Sequence, residues 1–411
     1  MTKNQTGWRA TPRTVWALGV VSMLMDASSE IIHALLPIFL VGTLGASASL
    51  VGLIEGIAEA TASVTKIFSG WISDRLGKRK LPALIGYGLG ALSKPLFPLA
   101  GTAGFLLGAR FIDRVGKGIR GAPRDALIAD VTPPALRGTA YGLRQALDTV
   151  GAIAGPLMAV GLMALFANDL RKVMWWAAIP AVLAVLTLWL FVREPEREDM
   201  ERSGGPPLRL SAARRLSRGF WVVIGVAVVF HLARFSEAFL ILKASHEGLA
   251  LGLTPMVLVV MSIVYAVVST PAGELSDRIG RRTVLAFGLA ALVAADLVLA
   301  LTSGVTGALV GTALWGLHMG LSQGLLSALV ADHAPRALRG TAFGVFGLAT
   351  GAAVLAASVL AGGLWDAIGP NATFGAGAVF SGLAFAGLWL VDTKTPASAA
   401  GEIEASKGEE A

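Results

Sequence analysis

Apolar runs of about 18–25 residues, the length that crosses the hydrocarbon core of a bilayer as a helix, recur along the whole chain. Their spacing predicts helices 1 to 12 over residues 14–41, 48–70, 82–100, 103–129, 137–165, 173–192, 219–242, 253–275, 283–302, 305–331, 339–363 and 371–391. A backbone inside lipid has to satisfy its own hydrogen bonds, which leaves helices as the answer for runs of this length. The expected fold class is therefore an all-α membrane protein with twelve transmembrane helices. Charged residues make up only 15% of the chain, against about 25% in a soluble domain. Glycine contributes 50 of the 411 residues, as expected where small residues let helices approach closely. The first run is too long for a signal-peptide core and has no small-residue cleavage site after it, so it reads as a retained span. The absence of cysteine excludes disulfides and thiolate metal sites.

The polar segment 193–218, with Gly-Gly-Pro-Pro at 204–207, divides six helices from six. The organisation expected is a cytoplasmic N-terminal segment 1–13, a bundle 14–192, a cytoplasmic linker 193–218, a second bundle 219–392 and a disordered tail 393–411. With both termini cytoplasmic, inner loops and tails, counted with Arg137 and Arg339 at the inner ends of helices 5 and 11, hold 22 of the 34 basic residues, and outer loops hold three: Arg171, Lys172 and Lys243. That asymmetry sets the orientation, and the setting expected is a bacterial inner membrane. It also directs most of the net charge of +7 at anionic inner-leaflet lipid and away from nucleic acid. No Gly-x-x-x-x-Gly-Lys-[Ser/Thr] loop and no sizeable soluble domain are present, which argues against an ATPase or enzyme and against a cofactor.

One stretch conflicts with lipid. Arg110 to Asp125 holds Arg110, Asp113, Arg114, Lys117, Arg120, Arg124 and Asp125. At about 100° per residue these side chains fall within an arc of roughly 140°. Each charge at the bilayer centre costs at least ~2.5–3.5 kcal/mol unless it meets water or a partner. The face must line a polar cavity, and in a membrane protein such a cavity serves transport.

The chain is also duplicated. GWISDRLGKRK at 70–80 is matched by GELSDRIGRR at 273–282, and ALRGTAYG at 135–142 by ALRGTAFG at 337–344, at offsets of 203 and 202. Parallel halves of six helices with a central site between them are a known transporter architecture. The 202 offset carries Arg110, Arg114, Lys117, Arg120 and Arg124 onto Thr312, Gly316, Met319, Ser322 and Leu326. On helix 2 the 203 offset carries Glu55, Glu59 and Lys66 onto Leu258, Ser262 and Ser269. Both halves keep the scaffold but only the first keeps the charge, so the coupling chemistry is placed in helices 1, 2, 4 and 5.

The pattern Gly-x-x-x-Asp-Arg-x-Gly-[Arg/Lys]-[Arg/Lys], met at Gly70–Arg79 and again at Gly273–Arg282, resembles the loop 2–3 signature of the major facilitator superfamily. The resemblance covers roughly residues 14–392 and implies two pseudo-symmetric six-helix bundles that open alternately to each side. It implies gating residues Asp74, Arg75 and Gly77, with Asp277 and Arg278 in the second half. The Asp74 carboxylate would face the N-terminus of helix 11 at Arg339–Gly340–Thr341, where the helix dipole stabilises an anion. Lys78 and Arg79 read as topological charges. Arg114-x-x-x-Gly118 resembles the helix 4 motif of proton-coupled members. Gly151-x-x-x-Gly155-Pro156 resembles the helix 5 antiporter motif, although Leu157, Met158 and Ala159 replace the usual glycine pair; the same spacing also serves plain helix packing.

Helix 1 places Asp26, Ser29, Glu30, His33 and Pro37 on one face. Desolvation makes a carboxylate hold a proton and a nearby cation makes it release one. Asp26 or Glu30 facing Arg114 would therefore couple protons; a fixed salt bridge between helices 1 and 4 is the plainer alternative. Glu55 and Glu59, one turn apart beside Lys66, fit a proton carrier or an ion network equally. Substrate contact is expected from His33, Arg110, Lys117, Arg144, His231, Arg234, Glu237 and His318, with Arg234–Glu237 and Arg144–Asp148 pairs as alternatives and His318 also read as a packing residue. Lys94 and Asp296 have no assigned role. The acids and histidine of helix 1 have ligand chemistry, but the cationic face opposite disfavours a bare metal ion, so no metal site is expected. The expected function is proton-coupled export of a small organic, anionic or chelate-type solute by a monomer in contact with membrane lipids. A proton symporter importing an organic anion and a non-transporting receptor or scaffold are the alternatives.

Overall fold

The computed structural model describes residues 10–194, 213–323, 325–334 and 338–391. The expectations for the N-terminal segment, most of the linker and the tail lie outside these residues. The described chain forms twelve helical spans. In the first half they are α1 (Arg13–Ile38), α2 (Ala48–Leu76), α3 (Lys80–Ser93, with a short piece Leu96–Leu99), α4 (Ala103–Val131), α5 (Arg137–Leu165) and α6 (Leu170–Trp176 and Ala178–Phe191). In the second half they are α7 (Arg218–Ala233 and Ala238–His246), α8 (Met256–Ile279), α9 (Arg281–Leu301), α10 (Gly304–Ser322 and Leu325–His333), α11 (Arg339–Ala367) and α12 (Pro370–Gly387). Among the described residues, nine of these spans are both long and apolar enough to cross a membrane by composition alone. The other three are α2 and α4, which carry the helix-borne charges, and α3, which is interrupted at Lys94–Pro95.

Local chemistry sets the boundaries. Ser47, Thr102 and Ser217 cap α2, α4 and α7 by accepting from the backbone N–H groups of Leu50, Phe105 and Phe220. Gly77 ends α2 at φ 65°, a left-handed conformation that glycine adopts without strain. Helices α2, α4, α5 and α11 have 29 residues each, about 43 Å at 1.5 Å per residue. They outreach the hydrocarbon core and carry polar ends beyond it.

The halves pack along α2 with α11, α5 with α8, and α1 with α7. At the end opposite the linker they are closed. The backbone N–H groups of Ala48 and Ser49 donate to Asp366 Oδ1 and Oδ2 at 3.0 and 2.8 Å. A Cβ on Gly52 would overlap the Ser358 carbonyl oxygen, and one on Gly362 would overlap Ala48 and Ser49 backbone. This seam therefore depends on glycine. Gly52→Val is expected to force the end apart. Because the chain has no cysteine, labels on Ser49→Cys and Gly363→Cys report the gap directly. The label distance should lengthen in Gly52→Val, and an unchanged distance contradicts the closure described.

At the linker end each half is tied to itself. Arg79 is buried and forms an ion pair with Asp74. Its Nη1 donates to Ser73 Oγ at 3.0 Å, and its Nε lies 3.6 Å from Asp130. The backbone N–H groups of Arg79 and Lys80 donate to Glu194. In the second half Arg281 pairs with Asp332 at 2.5 Å, and Asp332 stands 202 residues after Asp130. Two expectations change. Arg79 is a structural hub and not a purely topological charge. The carboxylate of Asp74 is engaged by Arg79 in this state, while Gly340 faces open space. Arg75, Asp277 and Arg278 are exposed.

Candidate functional site

The charged face of α4 behaves as its energetics require. Arg110, Asp113, Arg114 and Arg120 are buried, while Phe111 and Ile112 on the other side are exposed to the lipid-facing surface. Beside this face lies a cavity of about 640 Å³ between the halves. It reaches from His33, Glu55 and Glu237 to Lys66, Arg144 and Gln323 on the linker side. The opposite end being closed, the cavity extends toward the linker end.

The wall in the first half is a chain of ion pairs. His33 Nδ1 lies 3.4 Å from Glu30 Oε2, and His33 Nε2 lies 3.8 Å from Glu55 Oε2. Behind it, Arg110 Nη2 donates to Glu55 Oε2 at 2.7 Å, with both side chains 1% exposed. A second chain runs from Ser29 through Lys94 at 3.0 Å to Asp113 at 2.8 Å. From there Arg114 Nε lies 3.8 Å from Asp113, and Arg114 Nη1 lies 3.1 Å from Glu59. These pairs join α1, α2, α3 and α4. On α5, Arg144 donates to Asp148 at 2.5 Å, the pairing expected one turn apart.

The second half contributes an interrupted helix. Residues Arg234–Glu237 separate the two pieces of α7, and all four line the cavity. The freed backbone is satisfied locally: Ser236 N–H donates to Ser358 Oγ, and Ala238 N–H donates to Ser236 Oγ, both at 3.2 Å. A broken helix in a membrane is tolerated where it borders a water-filled cavity. Arg234 and Glu237 form no pair with each other, because the break removes the helical spacing that would have joined them. His231 instead turns its Nδ1 to the Ala227 carbonyl at 2.7 Å.

The structure brings Asp26, Glu30, His33, Glu55, Glu59, Arg114, Lys117, Arg144, His231, Arg234 and Glu237 to one cavity. Two of the residues expected to contact substrate do not line the cavity. Arg110 is sequestered behind Glu55 and does not face the cavity. His318 is fully buried, with Nδ1 held 2.8 Å from the Gly288 carbonyl, and packs against Phe230 at 5.4 Å, away from the cavity lining. The expected partner of Arg114 also changes. Its carboxylate is Glu59 of α2, whereas Glu30 turns to His33 and Asp26 lies 3.9 Å from Arg120. Tyr265, Ser236, Gln323 and Thr350 line the cavity without having been singled out in the sequence. Tyr265 had a signal: it is one of only three tyrosines, set in an apolar run.

Among the described residues, the cavity-lining side chains of Lys66, Lys117, Arg234 and Glu237 make no hydrogen bond or ion pair. Three cations and one carboxylate are thus left for a solute and water.

A sequence profile of the Major Facilitator Superfamily matches residues 18–259 and 239–409. The chain is 31% identical over 388 residues to an uncharacterised MFS-type transporter of Methanocaldococcus jannaschii, covering 92% of this chain and 95% of that relative. The chain belongs to the major facilitator superfamily. It is a multi-pass membrane transporter, not an enzyme, and the family works without a cofactor. A multidrug resistance protein, MdtH, of Yersinia enterocolitica is 31% identical over 189 residues, 44% of this chain and 46% of that protein. A bacterial homolog of the human lysosomal transporter Spinster, solved inward-facing and unoccupied, superposes with a TM-score of 0.72 at 18% identity over 92% of this chain and 96% of that one.

Proposed function

We propose that this superfamily member is a proton-coupled exporter of a small organic solute carrying an anionic group, with the linker end of the bundle cytoplasmic. The observation that carries the reading is the cavity wall itself: Lys117 and Arg234, from opposite halves, stand unpaired beside an ion-paired carboxylate, Glu59, that a proton can release from Arg114. Protonation of Glu59 frees the Arg114 guanidinium; deprotonation restores the 3.1 Å pair. Asp26 and Glu30 border the same space and are alternative carriers. Lys117, Arg144, His231, Arg234 and Glu237 contact the solute, and Asp74 and Arg75, with Asp277, Arg278 and Arg339 in the second half, work the linker-end gate. The multidrug resistance relative supports export over import, and the basic linker end supports its cytoplasmic placement.

A thermal-shift screen of organic acids, acidic chelates and neutral drugs against the purified monomer tests the cavity chemistry, since a ligand at 100 times its Kd stabilises the bound state by about 2.7 kcal/mol. Acids are expected to raise the melting temperature of the wild type but not of Lys117→Ala combined with Arg234→Ala. Stabilisation by neutral compounds only contradicts the anionic reading.

A further inference from the structure

Asp296 takes no part in the cavity. It lies on α9, is 0% exposed, and neither carboxyl oxygen has a hydrogen-bond partner among the described residues. A Cβ placed on Gly377 of α12 would lie 2.7 Å from its Oδ2 and 3.1 Å from Phe235 Cε1. The carboxyl therefore packs against Gly377 of α12, with the Phe235 ring bordering the same glycine. On α10 the indole Nε1 of Trp315 is also buried without a partner, and that ring lies 5.4 Å from Phe235.

The repeat relates these two orphans. The 202 offset carries Lys94 onto Asp296 and Asp113 onto Trp315. The same offset carries the close approach of Gly86 to Gly116 and Arg120 onto that of Gly288 to His318 and Ser322. In the first half Lys94 and Asp113 touch at 2.8 Å. Asp296 and Trp315 accordingly occupy, on α9 and α10, the positions that Lys94 and Asp113 occupy on α3 and α4, and each lies near the Phe235 ring.

No cation faces Asp296 among the described residues. Helix α12 has no ionisable residue between Pro370 and Gly387. His318 of α10 is bonded to Gly288, two turns along α9. Glu274, Asp277 and Arg278 of α8, Asp332 and His333 of α10, and Arg281 and Arg282 of α9 gather at the linker end. Asp296 is fifteen residues from Arg281, about 22 Å along the helix. Arg234, Glu237 and Tyr265 face the cavity. An ionised carboxylate buried without cation or donor is far costlier than the neutral acid.

We propose that Asp296 and Trp315 form a proton-binding site in the second half. The carboxyl holds a proton in the state described. When it leaves, the O–H bond breaks, the proton passes to water, and the carboxylate accepts a hydrogen bond from Trp315 Nε1; no electrons are transferred. Phe235 lies between this pair and the cavity, within the α7 break, so displacement of its ring links proton release to what fills the cavity.

Infrared spectroscopy of the full chain in detergent tests the site at neutral pH. The wild type is expected to show a protonated-carboxyl stretch that shifts in D2O and is missing from Asp296→Asn, whose amide mimics the neutral acid and leaves the melting temperature unchanged. A difference spectrum without that band overturns the site. If Asp296→Asn does not purify as a monodisperse species, Asp296→Glu keeps the carboxyl and should move the band; an unmoved band overturns the site equally. Trp315→Phe removes the donor and should raise the pH at which the band titrates away, and an unchanged titration overturns the part given to Trp315.

Discussion

Replacing Arg110 with methionine is expected to destabilise the protein by about 3–5 kcal/mol, the range for removing one member of a buried ion pair. The guanidinium holds Glu55 at 2.7 Å, and both side chains are 1% exposed. The next group that could balance Glu55 is His33 Nε2 at 3.8 Å, which is charged only when protonated. Removal of Arg110 leaves a carboxylate inside the bundle, where burying a lone charge is strongly unfavourable. The pair itself is a different matter. Arg110 Nε and Glu55 Oε1 have no partners even in the intact protein, so its net contribution is small. Arg110→Met combined with Glu55→Gln is therefore expected to recover most of the lost stability. Melting temperatures of the two single variants and the double variant, closed into a thermodynamic cycle, measure the coupling. A single variant no worse than the double contradicts the pairing.

Glu59→Gln is expected to abolish the response of transport to a pH gradient, a fall of about tenfold or more, equivalent to ~1.4 kcal/mol of coupling. Glu59 is the carboxylate that touches Arg114 from a neighbouring helix, and its side chain is 40% exposed toward the cavity, so protons and water reach it. Glu55 is 1% exposed and held by Arg110 at 2.7 Å, and should not substitute for it. Glutamine keeps the shape but cannot alternate between neutral and charged. The variant should still exchange solute down its own gradient at a rate insensitive to pH. Retained pH dependence in Glu59→Gln, with its loss in Asp26→Asn or Glu30→Gln, would transfer the carrier role to α1.

The helices were legible because crossing a bilayer demands a length and apolarity that few other structures require. The interruption of α3 was legible in principle, since Lys94-Pro95 carries a proline that cannot donate within a helix. The interruption of α7 was not. Arg234-Phe235-Ser236-Glu237 contains no glycine or proline, and the break is held by Ser358, 122 residues away in sequence. The cavity was legible from the energetic conflict between five cations on one face of α4 and the lipid around them. The pairing within it was not, because periodicity places a residue on its own helix but not the rotation of that helix against its neighbours. Arg114 therefore meets Glu59 and not the acids of α1, and His318 points into the α9–α10 contact and not into the cavity.

Solute flux in proteoliposomes with and without an imposed proton gradient, using the acid selected by the thermal-shift screen, tests whether export is coupled to protons. A gradient acid outside and neutral inside is expected to accelerate efflux from the wild type and to collapse faster when solute is present. Efflux at the same rate with and without the gradient, or solute uptake driven by it, would contradict proton-coupled export.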